Sequence, residues 1–184
     1  MIETKRTFLR ALEKRDLELK HKWMNNPIVR ETLLLSVPIS LYQLELWYES
    51  IIKDVSREDF IIVYKQNNEA IGFAGYCNID WKNRKAEPFI TIGNPDYWGG
   101  GIGTEVVNKL LDHGFNEMGL NRMYGFMLDN NPGALKMDLR AGFLQEGLLK
   151  DDVIIHGEFH DRIMLGITKD IFNKNNLNST INDK

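Results

Sequence analysis

A glycine-rich segment between a predicted strand and a predicted helix constrains this chain more than any other feature. Residues 94–104 read Asn-Pro-Asp-Tyr-Trp-Gly-Gly-Gly-Ile-Gly-Thr, and apolar residues then recur at helical spacing at Val106, Val107, Leu110, Leu111, Phe115 and Met118. Glycine adopts positive φ and lets a ligand approach the backbone, while the first N–H groups of a helix lack intrahelical partners. The segment therefore predicts a phosphate-binding turn, the alternative being a tight strand-to-helix turn with no ligand.

The residues around this turn argue against two common nucleotide-binding motifs. A P-loop requires Lys followed by Ser or Thr after its last glycine, but Gly103 is followed by Thr104 and Glu105. A dinucleotide fingerprint requires a further glycine or alanine where Val106 stands, and the preceding strand belongs to a predicted meander. Nucleoside triphosphate hydrolysis and NAD binding are therefore both disfavoured.

Composition and charge limit the class of protein further. The chain has 184 residues, of which 43% are hydrophobic and 27% charged, values that predict one soluble domain over residues 1–172. Residues 173–184 contain five Asn and few apolar residues, so we expect a disordered tail. A net charge of −3 argues against a nucleic-acid partner. No apolar stretch approaches membrane-spanning length, and a single cysteine, Cys77, excludes an internal disulfide, so we expect a cytoplasmic protein without a membrane partner.

Local patterns predict the order of helices and strands. Asp16 is a candidate cap for a helix ending near Met24, and Ser40 with Gln43 forms a capping box for the next helix. Strands are predicted over residues 60–65, 70–79 and 87–93, which together form an antiparallel meander. After the helix that follows the glycine turn, the pattern predicts a strand over residues 123–128 and a short helix ending before residues 142–143.

Two motifs in this order resemble the GNAT superfamily of acyl-CoA-dependent N-acetyltransferases. The family turn Q/R-x-x-G-x-G/A is matched from Trp98 to Gly103, with Trp98 in place of Gln or Arg. The next family motif, Asn-x-x-Ala followed by Gly-Phe, is matched by Asn131, Ala134 and residues 142–143. Residues 23–27, 38–40 and 146–161 look like the branch that contains ribosomal-protein alanine, spermidine and amino-sugar acetyltransferases.

The resemblance implies an α/β (α+β) fold and a site for acetyl-CoA. We expect a mixed, mostly antiparallel central sheet with helices on both faces, splayed between the strands over residues 87–93 and 123–128. The resemblance places the pantetheine arm in that splay and the diphosphate on the glycine turn. The cofactor-binding residues that it implies are Ile90, Thr91, Ile92, Trp98, Gly99, Gly100, Gly101, Ile102, Gly103, Thr104 and Asn131. Asn131 could equally open the following helix through an Asx turn.

The implied chemistry is acetyl transfer to an amine. A lysine-like amine has a pKa of about 10.4, so a base must remove a proton before it attacks. Glu87 matches a glutamate of this branch and is the candidate base or amine anchor, the alternative being a solvated charge at a strand start. Many relatives place a tyrosine seven residues after the motif asparagine to protonate the leaving thiolate, but Asp138 stands there. With an ordinary pKa of about 3.9 this aspartate would be ionised and unable to donate.

The acceptor site is less strongly indicated. Trp47, His160 and Asp161 are candidate acceptor contacts, although core packing for Trp47 and a polar surface for the other two are the alternatives. His156 and His160 lie on either side of Gly157, which separates two predicted strands, so we expect no metal site.

We therefore expect an enzyme that acetylates a primary amine of a small metabolite, an amino sugar or polyamine, by direct attack in a ternary complex. The segment over residues 29–46 could enclose such an acceptor. The alternatives are N-terminal acetylation of a protein such as a ribosomal protein, or a non-catalytic acyl-CoA-binding module. A homodimer is common in the resembling branch.

Overall fold

Eight strands form a single sheet at the centre of the protein. The structure, a computed structural model, describes residues 2–33, 37–155 and 157–182. The strands are β1 (Ile2–Glu3), β2 (Thr7–Ala11), β3 (Glu58–Tyr64), β4 (Glu69–Asp80), β5 (Lys85–Ile92), β6 (Arg122–Leu128), β7 (Leu144–Ile155) and β8 (Glu158–Thr168). Their spatial order is β1-β2-β3-β4-β5-β6-β8-β7, with β5 and β6 parallel and every other neighbouring pair antiparallel. The expected mixed, mostly antiparallel sheet is confirmed.

Six α-helices accompany the sheet in the described ranges of the chain. They are α1 (Leu17–Asn25), α2 (Pro27–Arg30), α3 (Leu41–Ile51), α4 (Ile102–Asp112), α5 (Pro132–Arg140) and α6 (Lys169–Asn182). A π-helical turn, His113–Glu117, continues α4. Over the described residues, the helices are all too short or too polar to cross a membrane.

Strand alternation distributes the helices over both faces of the sheet. Ile62 of β3 belongs to a buried cluster that also contains Val106 and Leu110 of α4. Its neighbours on the strand belong to a second cluster that contains Trp23 of α1 and is covered by Trp47 of α3. Because successive side chains of a strand point to opposite faces, one strand supports both cores.

The sheet is splayed between β5 and β6, as expected. The two strands pair only through Lys85 with Arg122 and Ala86 with Met123. Beyond that point β5 stays paired with β4 as far as Ile92, and β6 stays paired with β8 as far as Leu128. The inner edges of the two strands are thus unpaired with each other over most of their length.

The helix starts confirm one predicted cap and correct another. The Gln43 amide donates to Ser40 Oγ at 3.1 Å, and the Ser40 amide donates to Gln43 Oε1 at 2.9 Å, so the predicted capping box is present. Asp16, however, does not cap α1 with its side chain. Its carboxylate accepts two hydrogen bonds from the Arg10 guanidinium, at 2.7 and 2.6 Å, and one from the Glu13 amide. This charged partner lies on β2 and outcompetes the local capping bond.

The tail is helical where the structure describes it. α6 extends to Asn182, and Phe172 near its start is buried in the main core. Residues 173–177 are exposed. An isolated helix with so little buried surface is marginal in water, so disorder beyond residue 172 stays a prediction about this segment in solution.

Candidate active site

A cavity of about 670 Å³ fills the splay between β5 and β6. Its walls are formed by both strands, the glycine turn, the start of α4, α5 and residues 32–33 after α2. Most residues that the sequence assigns to the cofactor line it, as does the candidate base: Glu87, Ile90, Thr91, Ile92, Trp98, Gly99, Gly101, Ile102, Gly103, Thr104 and Asn131. Gly100, Trp47, His160 and Asp161 are not part of the lining. The structure thus brings the strand and turn residues together and leaves the three acceptor candidates outside.

The glycine turn presents a row of unused backbone donors to this cavity. Gly99 and Gly101 have φ values of 75° and 78°, and Gly101 is the N-cap of α4. Within the described ranges, the backbone amides of residues 99–104 have no hydrogen-bond acceptor. The Trp98 indole donates to the Ile92 carbonyl at 2.8 Å, which fixes the turn to the end of β5. Such a row of amides at a helix N-terminus is suited to bind an anion.

Gly103 has a different role from the other glycines of the turn. A Cβ atom at this position would lie 2.8 Å from Met137 Sδ. The missing side chain therefore lets α5 pack closely against α4. This contact holds α5 beside α4 at the cavity.

Glu87 lies at the point where β5 leaves β6. Its carboxylate accepts a hydrogen bond of 2.9 Å from the Asn78 side-chain amide. Asn78 has a φ of 52° and lies where the β4–β5 register shifts, so an irregularity in the strand supplies this donor. Burial raises the pKa of the neighbouring Cys77 thiol to about 11, so this thiol is protonated and not nucleophilic at neutral pH.

Asp138 differs from its sequence-based description. It lines the cavity from α5, and its carboxyl has no hydrogen-bond or ion-pair partner in the part of the chain that the structure describes. Burial raises the pKa of this carboxyl to about 7. The expectation that Asp138 is ionised and cannot donate a proton is therefore wrong, because it assumed a solvated aspartate.

Two cations on α5 were missed by the sequence analysis. Lys136 and Arg140 both line the cavity, and neither makes an ion pair with a described residue. Their spacing of four residues places them on one helix face, which was the available signal. They add positive charge to the cavity that Asp138 also lines.

Asn131 holds the start of α5. Its Oδ1 accepts a hydrogen bond from the Ala134 amide at 3.1 Å, so the Asx turn considered from the sequence is present. The same residue lines the cavity. Capping and a cofactor contact are therefore compatible at this position.

Trp47 lies outside the cavity lining, and Arg57 lies near both Trp47 and a residue of that lining. The Arg57 guanidinium lies 5.2 Å from the Trp47 ring centroid and 5.0 Å from that of Phe89, which lines the cavity. Lys20, buried beside it, lies 3.5 Å from the Phe73 ring centroid, and burial lowers the pKa of its amine to about 7. Trp47 as an acceptor contact stays a prediction.

The other two acceptor candidates contact charged side chains near the β8 start. His160 Nδ1 lies 3.2 Å from Asp129 Oδ1, and Asp161 pairs with Lys150. His156, considered as a metal ligand, lies outside the described residues. Elsewhere in the described chain, no three His, Cys, Asp or Glu side chains are grouped so as to hold a metal ion.

Comparison with known proteins identifies the family. The family model of the acetyltransferase (GNAT) domain matches residues 6–144. That range includes β5, the glycine turn, β6 and α5, which together form the cavity. The chain belongs to the GNAT acetyltransferase family.

The relatives extend this similarity over most of the chain. An uncharacterized N-acetyltransferase p20 of Bacillus licheniformis is 30% identical over 170 residues, which is 90% of this chain and 94% of the relative. Spermidine N(1)-acetyltransferase of Vibrio cholerae is 31% identical over 153 residues, or 83% and 87% of the two chains. The crystal structure of spermidine N-acetyltransferase from Vibrio cholerae in complex with CoA and spermine matches with a TM-score of 0.84 at 28% identity, covering 91% of this chain and 98% of that one.

Replacing Asp138 by Asn is expected to stabilise the protein at alkaline pH. The folded-state pKa of about 7 lies above the ordinary 3.8, so ionising the carboxyl costs the folded state stability as the pH rises from about 4 to 7. A shift of this size sets an upper bound of about 4 kcal/mol, reduced by the access of water to the cavity. Urea unfolding at pH 8 and pH 5 should show a gain for Asp138→Asn that is larger at pH 8. An equal gain at both pH values would contradict the raised pKa.

Proposed function

We propose that this protein transfers the acetyl group of acetyl-CoA to a primary amine of a small metabolite, with a polyamine of the spermidine class as the first candidate and an amino sugar as the second. The observation that carries the proposal is the row of free amides at residues 99–104, which opens into the splay between β5 and β6. The spermidine acetyltransferases among the relatives support the choice of acceptor.

The cavity suits acetyl-CoA as a substrate. Free amides and positive φ angles in the glycine turn favour the diphosphate, which needs several donors in a small space. Lys136 and Arg140 supply the cationic charge that further phosphate oxygens require. The apolar lining beyond the turn, including Val107, Leu110 and Leu165, suits the pantetheine chain. Acetyl-CoA supplies the thioester whose carbonyl carbon accepts the amine.

The splayed strands give the reaction its geometry. A thioester between β5 and β6 would face the edge of β5 near residues 90–92 that β6 does not pair, where alternate backbone N–H groups point away from β4. Such donors stabilise the negative charge that develops on the carbonyl oxygen. Holding the amine and the thioester together supplies much of the rate, since effective molarities can reach about 10⁵ M or more.

Glu87 is the proposed base. An amine acceptor arrives protonated at neutral pH and attacks only after losing a proton. Glu87 lines the same cavity, and the Asn78 amide fixes the position of its carboxylate. The carboxylate accepts a proton from the acceptor nitrogen, directly or through one water, and also attracts the charge of a polycationic substrate.

The proposal is tested by release of coenzyme A thiol from acetyl-CoA in the presence of single amines. We expect release with spermidine, spermine or an amino sugar, and product with the mass of one added acetyl group. Peptides that begin with alanine serve as the comparison for protein N-terminal acetylation. Binding of acetyl-CoA without thiol release for any amine would favour a non-catalytic acyl-CoA-binding module instead.

Gly101→Val is expected to weaken acetyl-CoA binding at least tenfold. A β-branched residue at a φ of 78° carries strain of about 1–3 kcal/mol, and relief of that strain moves the amides that face the cavity. Gly119→Val is the matched control, because Gly119 has a similar φ of 71°, a Cβ there would meet nothing within 4 Å, and the residue does not line the cavity. Calorimetry should show near-normal affinity for the control. Unchanged affinity in Gly101→Val would remove the diphosphate from this turn.

Glu87→Gln is expected to lower kcat/KM at pH 7 by about 10²-fold, the usual contribution of a general base. The defect should shrink towards pH 10, where the free amine becomes abundant without a base. Glu117→Gln, on the exposed π-helical turn, is the control and should leave kcat/KM unchanged. Equal kcat/KM for Glu87→Gln and the native protein at pH 7 would exclude Glu87 as the base.

A further inference from the structure

The cavity contains a second carboxyl that the mechanism above does not use. Asp138 lines it from α5, and Glu87 lines it from β5. The two carboxyls have different surroundings. Asn78 donates a hydrogen bond to Glu87, whereas no described residue donates to Asp138. A carboxyl without donors in a largely apolar cavity is the one suited to keep its proton.

The charged groups around the cavity leave Asp138 without a close counter-ion. On α4, which packs against α5, Glu105 is paired with Arg6 and Lys109 with Asp112. None of the charged or titratable side chains that share the cavity forms a hydrogen bond or ion pair with Asp138 in the described structure: Glu87, Tyr97, Tyr124, Lys136 and Arg140. Desolvation is accordingly the cause of its raised pKa.

We propose that Asp138 is the general acid of the acetyl transfer and donates its carboxyl proton to the sulfur of coenzyme A as the carbon–sulfur bond breaks. This inference rests on the proposed function. It answers which group protonates the thiolate in a chain whose sequence places an aspartate where many relatives place a tyrosine. Asp138 lines the cavity in the splay, and the adjacent Met137 packs against Gly103 of the glycine turn.

The proton balance of this step is complete. The acceptor ammonium first loses one proton to solvent through Glu87. The neutral amine nitrogen then forms a bond to the carbonyl carbon, and the proton that this bond makes surplus passes to Glu87. The carbon–sulfur bond breaks with its electron pair on sulfur, and the Asp138 proton converts the thiolate into the free thiol. Solvent then takes the proton from Glu87 and returns one to Asp138. The products are the acetylated amine and coenzyme A, and both carboxyls regain their starting states.

The titration of Asp138 supports this role. A general acid is most effective when its pKa lies near the working pH, because a large fraction of it is then protonated and the proton is still readily transferred. Burial sets the pKa of Asp138 to about 7, which meets this condition. An aspartate with its ordinary pKa would be almost wholly ionised at the same pH.

Asp138→Asn tests the proposal with saturating acetyl-CoA and the best amine of the panel. We expect kcat to fall by about 10²-fold or more, in the range of general acid catalysis, while calorimetry shows acetyl-CoA affinity within about threefold of native. Asp138→Tyr restores a proton donor and should recover at least a tenth of the native kcat. Asp170→Asn, on the exposed start of α6, is the control for loss of an aspartate charge and should keep native kcat.

The pH profile provides a signature that a merely structural role would not produce. Native kcat should decline above pH 7 as Asp138 loses its proton. Asp138→Asn should lack this decline, and Asp138→Tyr should move it towards about pH 10, the ordinary pKa of tyrosine. Thermal unfolding of each variant verifies that it is folded at the assay temperature.

The outcomes separate this inference from the function on which it rests. A native protein that acetylates no amine would overturn the proposed function together with the role of Asp138. An active native protein whose Asp138→Asn variant keeps kcat and the decline above pH 7 would overturn the role of Asp138 alone. Tyr124 lines the cavity from β6 and is the rival proton donor. The role of Asp138 alone would also be overturned if the decline of kcat above pH 7 were absent in Tyr124→Phe but present in Asp138→Asn.

Discussion

Two residue pairs, Lys85 with Arg122 and Ala86 with Met123, join β5 to β6 before the strands separate. Each strand is held on its outer edge, β5 by β4 and β6 by β8, so the gap does not depend on a loop or a hinge. Pro88 adds no backbone donor to β5 just beyond the last pair. The cavity is therefore a consequence of sheet pairing, and its inner edges offer backbone groups that no neighbouring strand uses.

The helices complete the cavity that the strands begin. α4 starts at the end of the glycine turn, and the absence of a side chain at Gly103 allows α5 to approach it through Met137. This packing brings α5 to the cavity, which Lys136, Asp138 and Arg140 all line. The site thus gains cations that suit phosphates and also a desolvated carboxyl. In this chain both features depend on the contact between α4 and α5.

Features that depend on neighbouring residues in the chain were predictable from the sequence. The Ser40–Gln43 capping box, the strand that becomes β6 and the glycine turn before α4 all depend on local spacing. Features that depend on distant partners were not. Asp16 pairs with Arg10 on β2 rather than capping α1, and Asp138 acquires its pKa from burial by several elements. Neither burial nor pairing across the sheet is encoded in a short motif.

The burial of Asp138 accounts both for the expected effect of its ionisation on protein stability and for its proposed role as general acid. Desolvation that favours the neutral carboxyl also makes its ionised form unfavourable in the folded protein. An ion pair with Lys136 or Arg140 would remove that penalty, but it would also lower the pKa and leave no proton to donate near neutral pH. A substrate that fills the cavity displaces water from the carboxyl, so its binding favours the neutral form of Asp138, as folding does. The same burial therefore causes both the loss of stability at alkaline pH and the presence of a proton on Asp138 near neutral pH.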